Sequence, residues 1–226
     1  MDYISAPMPL NFELSSSSIV LVGSFNPTIF QPQWFARHGL ISDPEAENAT
    51  VKLIAPQVSQ FETERFVILV LQERFTAASK PSADPAPLRD LVLGTFFILE
   101  HTPVTAMGLN RQMHIAMRGE DDWHRLGDRL APKEGWRGIL NGRPGMLSLS
   151  ITVQREAPPG AVFNVTVQPS LRVKHGAYFE TNEHYTGPQD QSLQGLMKVL
   201  GQRWEDVPNY ASRVVEHILD WARSEG

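Results

Sequence analysis

The sequence predicts an α+β fold, a mostly antiparallel sheet with helices packed on one face. Three observations carry this. Leu147, Leu149, Ile151 and Val153 alternate with Ser148, Ser150, Thr152 and Gln154, the two-residue period of a half-buried antiparallel strand. Phe163, Val165 and Val167 repeat it against Asn164, Thr166 and Gln168. Tyr210, Ala211, Val214, Val215, Ile218, Leu219 and Ala222 recur at three- and four-residue spacing, the stripe of an amphipathic helix.

Residues 1–17 are polar, with Pro7, Pro9 and a run of four serines, and are expected to form an N-terminal arm. Residues 18–226 are expected to form one domain, the alternative being two units divided near Gly119. Ile19-Val20-Leu21-Val22-Gly23 predicts a short buried strand, ended by the turn-forming Asn26-Pro27. Residues 31–39 predict a short helix, with Pro32 in its first turn and Gly39 just beyond its last. Residues 50–55 and 64–76 predict two more strands; the unbroken apolar run 66–71 suits a strand covered on both faces. Three prolines mark 77–87 as a loop. Residues 88–100 are apolar on nearly every side of a helix and should be buried on more than one face. Residues 104–117 predict a fourth strand, so the first half reads β-α-β-β-α-β, the ferredoxin-like split arrangement.

Glu120, Asp121 and Asp122 open a helix over 120–130, where acids complement the helix dipole. The turns Asn141-Gly142 and Pro144-Gly145 lead into the alternating strand at 147–154. Pro158-Pro159-Gly160 and Lys174-His175-Gly176 then turn the chain twice, giving a three-stranded meander. Two helices end the chain, the second starting near Pro208.

Composition excludes several classes of chemistry. At 226 residues, 42% hydrophobic and 20% charged, the chain can bury a core without staples. It contains no cysteine, which removes disulfides, thiol nucleophiles and zinc–thiolate or iron–sulfur ligation. A net charge of −5 without a basic stripe disfavours, without excluding, a nucleic-acid partner. There is no signal-like start and no apolar run of about 18 residues, so a soluble, cytoplasmic protein without a membrane partner is expected. Phosphate-loop, dinucleotide and nucleophile-elbow motifs are missing, and no cofactor is expected.

The candidate site residues fall in two clusters. Asn110, Gln112 and His114 share one face of the fourth strand, and Arg111 interrupts the apolar face behind them. Either a bulge near Asn110 turns Arg111 outward, or it is a buried arginine with a paired carboxylate. Asn182 and His184 share a face of the last strand, with Glu183 on the opposite one. If the two strands are neighbours, His114 and His184 could converge with Glu183 as an acid–base pair or a metal site. A solvated or hydrogen-bonded sheet face is the more economical reading of Asn110, Gln112 and His114, an anchored strand end that of His184, and no metal site is assigned. Asp121, Asp122 and His124 are explained by helix-end electrostatics, since adjacent helical positions point apart.

Asn26-Pro27 with Phe30 and Trp34-Phe35, Leu88-Arg89-Asp90-Leu91-Val92 with His101-Thr102-Pro103, and Ala106-Met107-Gly108-Leu109-Asn110-Arg111 together form a recognisable pattern. Trp123, Leu126-Gly127, Leu130-Ala131-Pro132-Lys133 with Trp136, Val167-Gln168-Pro169-Ser170 and Asn182 with His184-Tyr185 continue it. The pattern resembles a bacterial family of hypothetical proteins and spans about residues 19–186. The resemblance implies a bacterial or phage-related source and one unit spanning both halves. It implies no activity, cofactor or catalytic residue.

The expected function is a non-catalytic binding or assembly subunit, whose partner is another protein chain or a second copy. The polar surface would comprise Asn110, Arg111, Gln112, His114, Asn182 and His184. The first alternative is a hydrolase or phosphodiesterase using His114, His184 and Glu183; the second is an RNA-binding module.

Overall fold

The computed structural model describes residues 12–136, 138–156, 160–186 and 193–224. Nine strands form one antiparallel sheet: β1 (Leu14–Gly23), β2 (Thr50–Ala55), β3 (Val58–Glu62), β4 (Phe66–Leu71), β5 (Arg74–Ser79), β6 (Val104–Ala116), β7 (Leu149–Gln154), β8 (Ala161–Pro169) and β9 (Gly176–Thr186). Their order is β2-β3-β4-β5-β1-β6-β9-β8-β7, so β1 and β6 lie near the middle and one sheet runs through both halves of the chain. The described residues form six α-helices: α1 (Pro32–Arg37), α2 (Asp43–Glu47), α3 (Ala86–Ile98), α4 (Glu120–Leu130), α5 (Leu193–Arg203) and α6 (Asp206–Arg223).

The helices share one face of the sheet. α3 packs on β1 and β5, α5 on β6, and α6 on β6 and β9. One core joins Ile19, Leu21, Phe75, Met107 and Leu109 to Leu88, Val92 and Phe96 of α3 and Leu196 and Leu200 of α5. Its centre is aromatic: the Phe75 ring lies 5.0 Å from Phe96 and 5.4 Å from Phe30, edge-on to the first. Burying such a side chain stabilises the fold by about 1.5–3 kcal/mol. A second core sets Met113, Phe163, Val167 and Phe179 against Leu126 of α4 and Val215 and Leu219 of α6. Polar residues run across the sheet between the cores, where Ser17, Arg111 and Thr181 lie side by side on β1, β6 and β9.

The first half holds more strands than the sequence suggests. The expected strand over 64–76 is two strands folded back at Gln72-Glu73, and β3 was not expected at all. Its reason is Ser59, which occupies a core position with its hydroxyl donating to the carbonyl of Phe30, and so breaks the apolar alternation. The element order is therefore β-α-α-β-β-β-β-α-β. β1 also begins earlier than expected and absorbs the serine run. Ser17 faces the core and receives no apolar signal there; its N–H donates to the Ser79 hydroxyl at 3.0 Å. The rest of the expected arm, residues 1–11, lies outside the described residues.

Three burial expectations are corrected. β4 alternates buried and half-buried residues, because helices cover only one of its faces. α3 buries Leu91, Val92 and Phe96 yet leaves Phe97 84% exposed, since the sheet and α5 do not enclose it. β7 lies at the edge of the sheet, where its apolar row stays open. The α1 stop is as expected, with Gly39 at φ 68° just past the helix. No helix is long and apolar enough to cross a membrane among the described residues.

Candidate functional site

The face away from the helices is the candidate site, because the two cores draw none of their residues from it. Register decides which side chains meet there. Ser18 lies opposite Asn110, Asn110 opposite Asn182, Asn182 opposite Asn164, and Asn164 opposite Thr152. These five residues form a hydrogen-bonded ladder across β1, β6, β9, β8 and β7. Thr152 Oγ1 donates to Asn164 Oδ1 at 2.8 Å, and Asn164 Nδ2 to Asn182 Oδ1 at 3.2 Å. Asn182 Nδ2 donates to Asn110 Oδ1 at 2.6 Å, and Asn110 Nδ2 to Ser18 Oγ at 3.2 Å. All four bonds point the same way, so the amide dipoles add along the row.

Gly108 makes room for this ladder. A Cβ there would stand 2.9 Å from Asn182 Nδ2, inside van der Waals contact. Beside the ladder run Ser16, Gln112, Glu180, Thr166 and Ser150 in matching register. The Tyr178 hydroxyl donates to Glu180 at 3.0 Å, and Ser150 and Thr166 are hydrogen bonded at 2.9 Å. Burial, then the Glu180 charge and hydrogen bond, push the Tyr178 hydroxyl pKa well above its ordinary value. On the other side of β1 the same face turns apolar, with Val20, Val67 and Leu69 half-buried although no described helix covers them.

The two candidate histidines lie on neighbouring strands and on the same face, but they do not meet. His114 stands opposite Tyr178, whereas His184 stands opposite Gly108, six residues along β6. That offset is about 20 Å of strand. Glu183 is on the helix side and 1% exposed. The proposed trio is therefore divided between two faces and two ends of the sheet. Among the described residues, no three His, Asp or Glu side chains converge as metal ligands would.

Each member has a local role. His114 Nδ1 lies 2.8 Å from Ser170 Oγ, which already accepts from the backbone N–H groups of Arg172 and Val173. The hydroxyl proton is therefore directed to Nδ1, and the ring acts as acceptor. Burial, with the Arg172 charge, lowers the His114 pKa and keeps the ring neutral. A serine beside a histidine base suggests a nucleophile, but this hydroxyl closes its own turn, and none of the principal cavities is lined by either residue. Glu183 Oε1 accepts from Tyr185 at 2.7 Å and from Arg203 at 3.4 Å, with Arg155 at 3.8 Å. It neutralises arginines beneath the sheet. Burial and the Glu183 bond raise the Tyr185 pKa.

Arg111 follows neither expected course. Register is unbroken through Asn110 and Arg111, so no bulge turns it outward. It keeps to the helix side with the Phe12 ring 5.2 Å away, and makes no ion pair among the described residues. Burial lowers its pKa. Of the six expected surface residues, Asn110 and Asn182 meet directly, Gln112 sits beside them, and Arg111 faces away. Ser18, Asn164 and Thr152 were missed; their alternation is legible, but their alignment across five strands depends on register. No protein-family model matches the chain, and no curated protein is detectably similar to it.

Proposed function

We propose that the protein is a non-catalytic binding or assembly subunit that engages another protein chain through the uncovered face of its sheet. One observation carries this reading: half-buried apolar residues on β1 and β4 adjoin an amide and hydroxyl ladder on β1, β6, β9, β8 and β7, with no described helix over either. An apolar patch beside satisfied polar groups is the anatomy of a protein interface. The hydrolase alternative lacks support in the separation of His114, His184 and Glu183. RNA binding has one favourable feature, Tyr178 on the open face, against a net charge of −5.

On this reading residues 18–226 act as one domain, and the adjacent strands β6, β1, β5 and β4 form a ferredoxin-like unit extended by the β2–β3 hairpin. The setting is a bacterial cytoplasm, as the family resemblance and absence of cysteine suggest.

The test is purification of the tagged chain from its source organism, beside Gln112→Arg/Thr166→Arg on the open face and His217→Ala on α6. A stoichiometric protein partner should accompany the wild type and His217→Ala and be lost from the double variant. No stoichiometric partner, or one indifferent to the open face, overturns the reading.

A further inference from the structure

We propose that β7 is a pairing edge, and that its occupant is β7 of a second copy of this chain, joined about a twofold axis. The inference is independent of what binds the open face. It rests on how differently the two edges of the sheet are finished.

The β2 edge is guarded. It carries Lys52, which pairs with Glu62 at 3.9 Å, and its register slips between Val51 and Leu53. A charge and an irregularity are what keep an edge from recruiting another strand. The β7 edge has neither. Its six residues, LSITVQ, include no charge and no proline, and their register with β8 is unbroken. Ile151 and Val153 are 51% and 47% exposed, and Leu147 just before them is 85% exposed. The segment leading to the strand adds Trp136, Ile139 and Leu140, all exposed. Exposed apolar side chains on an edge that carries no charge are what a pairing strand covers.

The backbone fixes how a partner would attach. Arg155 N–H donates to the carbonyl of Ala161, continuing the β7–β8 register. Alternation along the strand then points the N–H and C=O groups of Ser150, Thr152 and Gln154 away from β8. An antiparallel copy centred on Ile151 aligns these outward groups, setting Ser150 against Thr152 and Ser148 against Gln154. The same register sets Ile151 against its own copy and Leu149 against Val153. Apolar residues meet apolar residues on one face, and on the other hydroxyls meet a hydroxyl or the Gln154 amide. Centring on Thr152 instead would put Leu149 against Arg155, which is engaged by Glu183. Because the strand is uncharged, the twofold brings no like charges together. A stable dimer buries about 800 Å² per partner. Six strand residues fall short of that alone, so the contact extends past the strand, first to Leu147, which is 85% exposed.

Sedimentation equilibrium of the purified full chain, from about 1 to about 200 µM, reads the association. A dimer should form, and Ile151→Lys, which sets two ammonium groups at the twofold, should weaken it about a hundredfold or more. Leu53→Lys on the guarded edge should leave it unchanged. The register has its own readout, because the chain has no cysteine. In an antiparallel pair of this type the two Ile151 Cα atoms stand about 4.5 Å apart, within disulfide range. Ile151→Cys should therefore cross-link on oxidation, whereas Val153→Cys, displaced four residues from its copy, should not. Circular dichroism melting verifies that each variant folds. A chain monomeric throughout, a dimer indifferent to Ile151→Lys, or equal cross-linking at 151 and 153 overturns the proposal. A monomer whose β7 takes a strand from a different protein overturns it too.

Discussion

Removing the Asn182 amide tests whether the ladder acts as a unit. Asn182→Ala deletes the 2.6 Å bond to Asn110 and the 3.2 Å bond from Asn164. A hydrogen bond contributes about 0.5–1.5 kcal/mol net, and two give about 1–3 kcal/mol. The row is half-buried, so water replaces part of the loss, and about 2 kcal/mol is expected from urea unfolding. In a domain of this size that lowers Tm by about 4–8 °C. The decisive assay is a double-mutant cycle with Asn110→Ala, which should give a coupling of about 1 kcal/mol. Asn182→Asp adds a sharper control. Its carboxylate accepts from Asn164 but confronts Asn110 Oδ1 with a second acceptor, so it should be less stable than Asn182→Ala at neutral pH and recover in acid. Additivity of the Asn110 and Asn182 single losses to within about 0.3 kcal/mol would refute the coupled ladder.

Gly108→Ala places a methyl 2.9 Å from Asn182 Nδ2 and should cost about 1–2 kcal/mol in urea unfolding. Most of that cost should vanish in an Asn182→Ala background; persistence would place the strain elsewhere. Glu183→Gln retains a partner for Tyr185 but removes the charge facing Arg203 and Arg155, so a loss of about 1–3 kcal/mol is expected. The lower end allows for Arg203 keeping its 2.9 Å contact to Asp206. An unchanged melting temperature would contradict that role. The lowered His114 pKa also sets a pH dependence. The unfolded chain binds this proton more readily than the folded one, so stability should fall as pH drops below the ordinary histidine value of about 6.5 and level off below the folded value. His114→Gln should flatten this part of the stability–pH curve, and an identical profile would show that other groups produce it.

Much of the second half was legible because each of its elements has a strong period of its own. The hydroxyl alternation at Ser148, Ser150 and Thr152 and the helical stripe from Tyr210 to Ala222 identify their elements without reference to anything distant. The first half was less legible where a polar residue occupies the core. Ser59 conceals β3, and Ser17 makes the start of β1 resemble an arm. The Ser59 hydroxyl donates to the Phe30 carbonyl and the Ser17 N–H donates to the Ser79 hydroxyl, partners that lie 29 and 62 residues away in sequence.

By itself the sequence determined the α+β class, the antiparallel meander, the helix stops and the absence of thiol chemistry, since each follows from local periodicity or composition. Tertiary structure alone decided that Asn110 meets Asn182 while His114 stays a strand-length from His184, that Glu183 lies beneath the sheet, and that β7 is an edge. The physical reason is that side-chain direction repeats every two residues along any strand, whereas strand order and register are set by long-range packing of the two cores. A face can be read from one strand, but a site needs several.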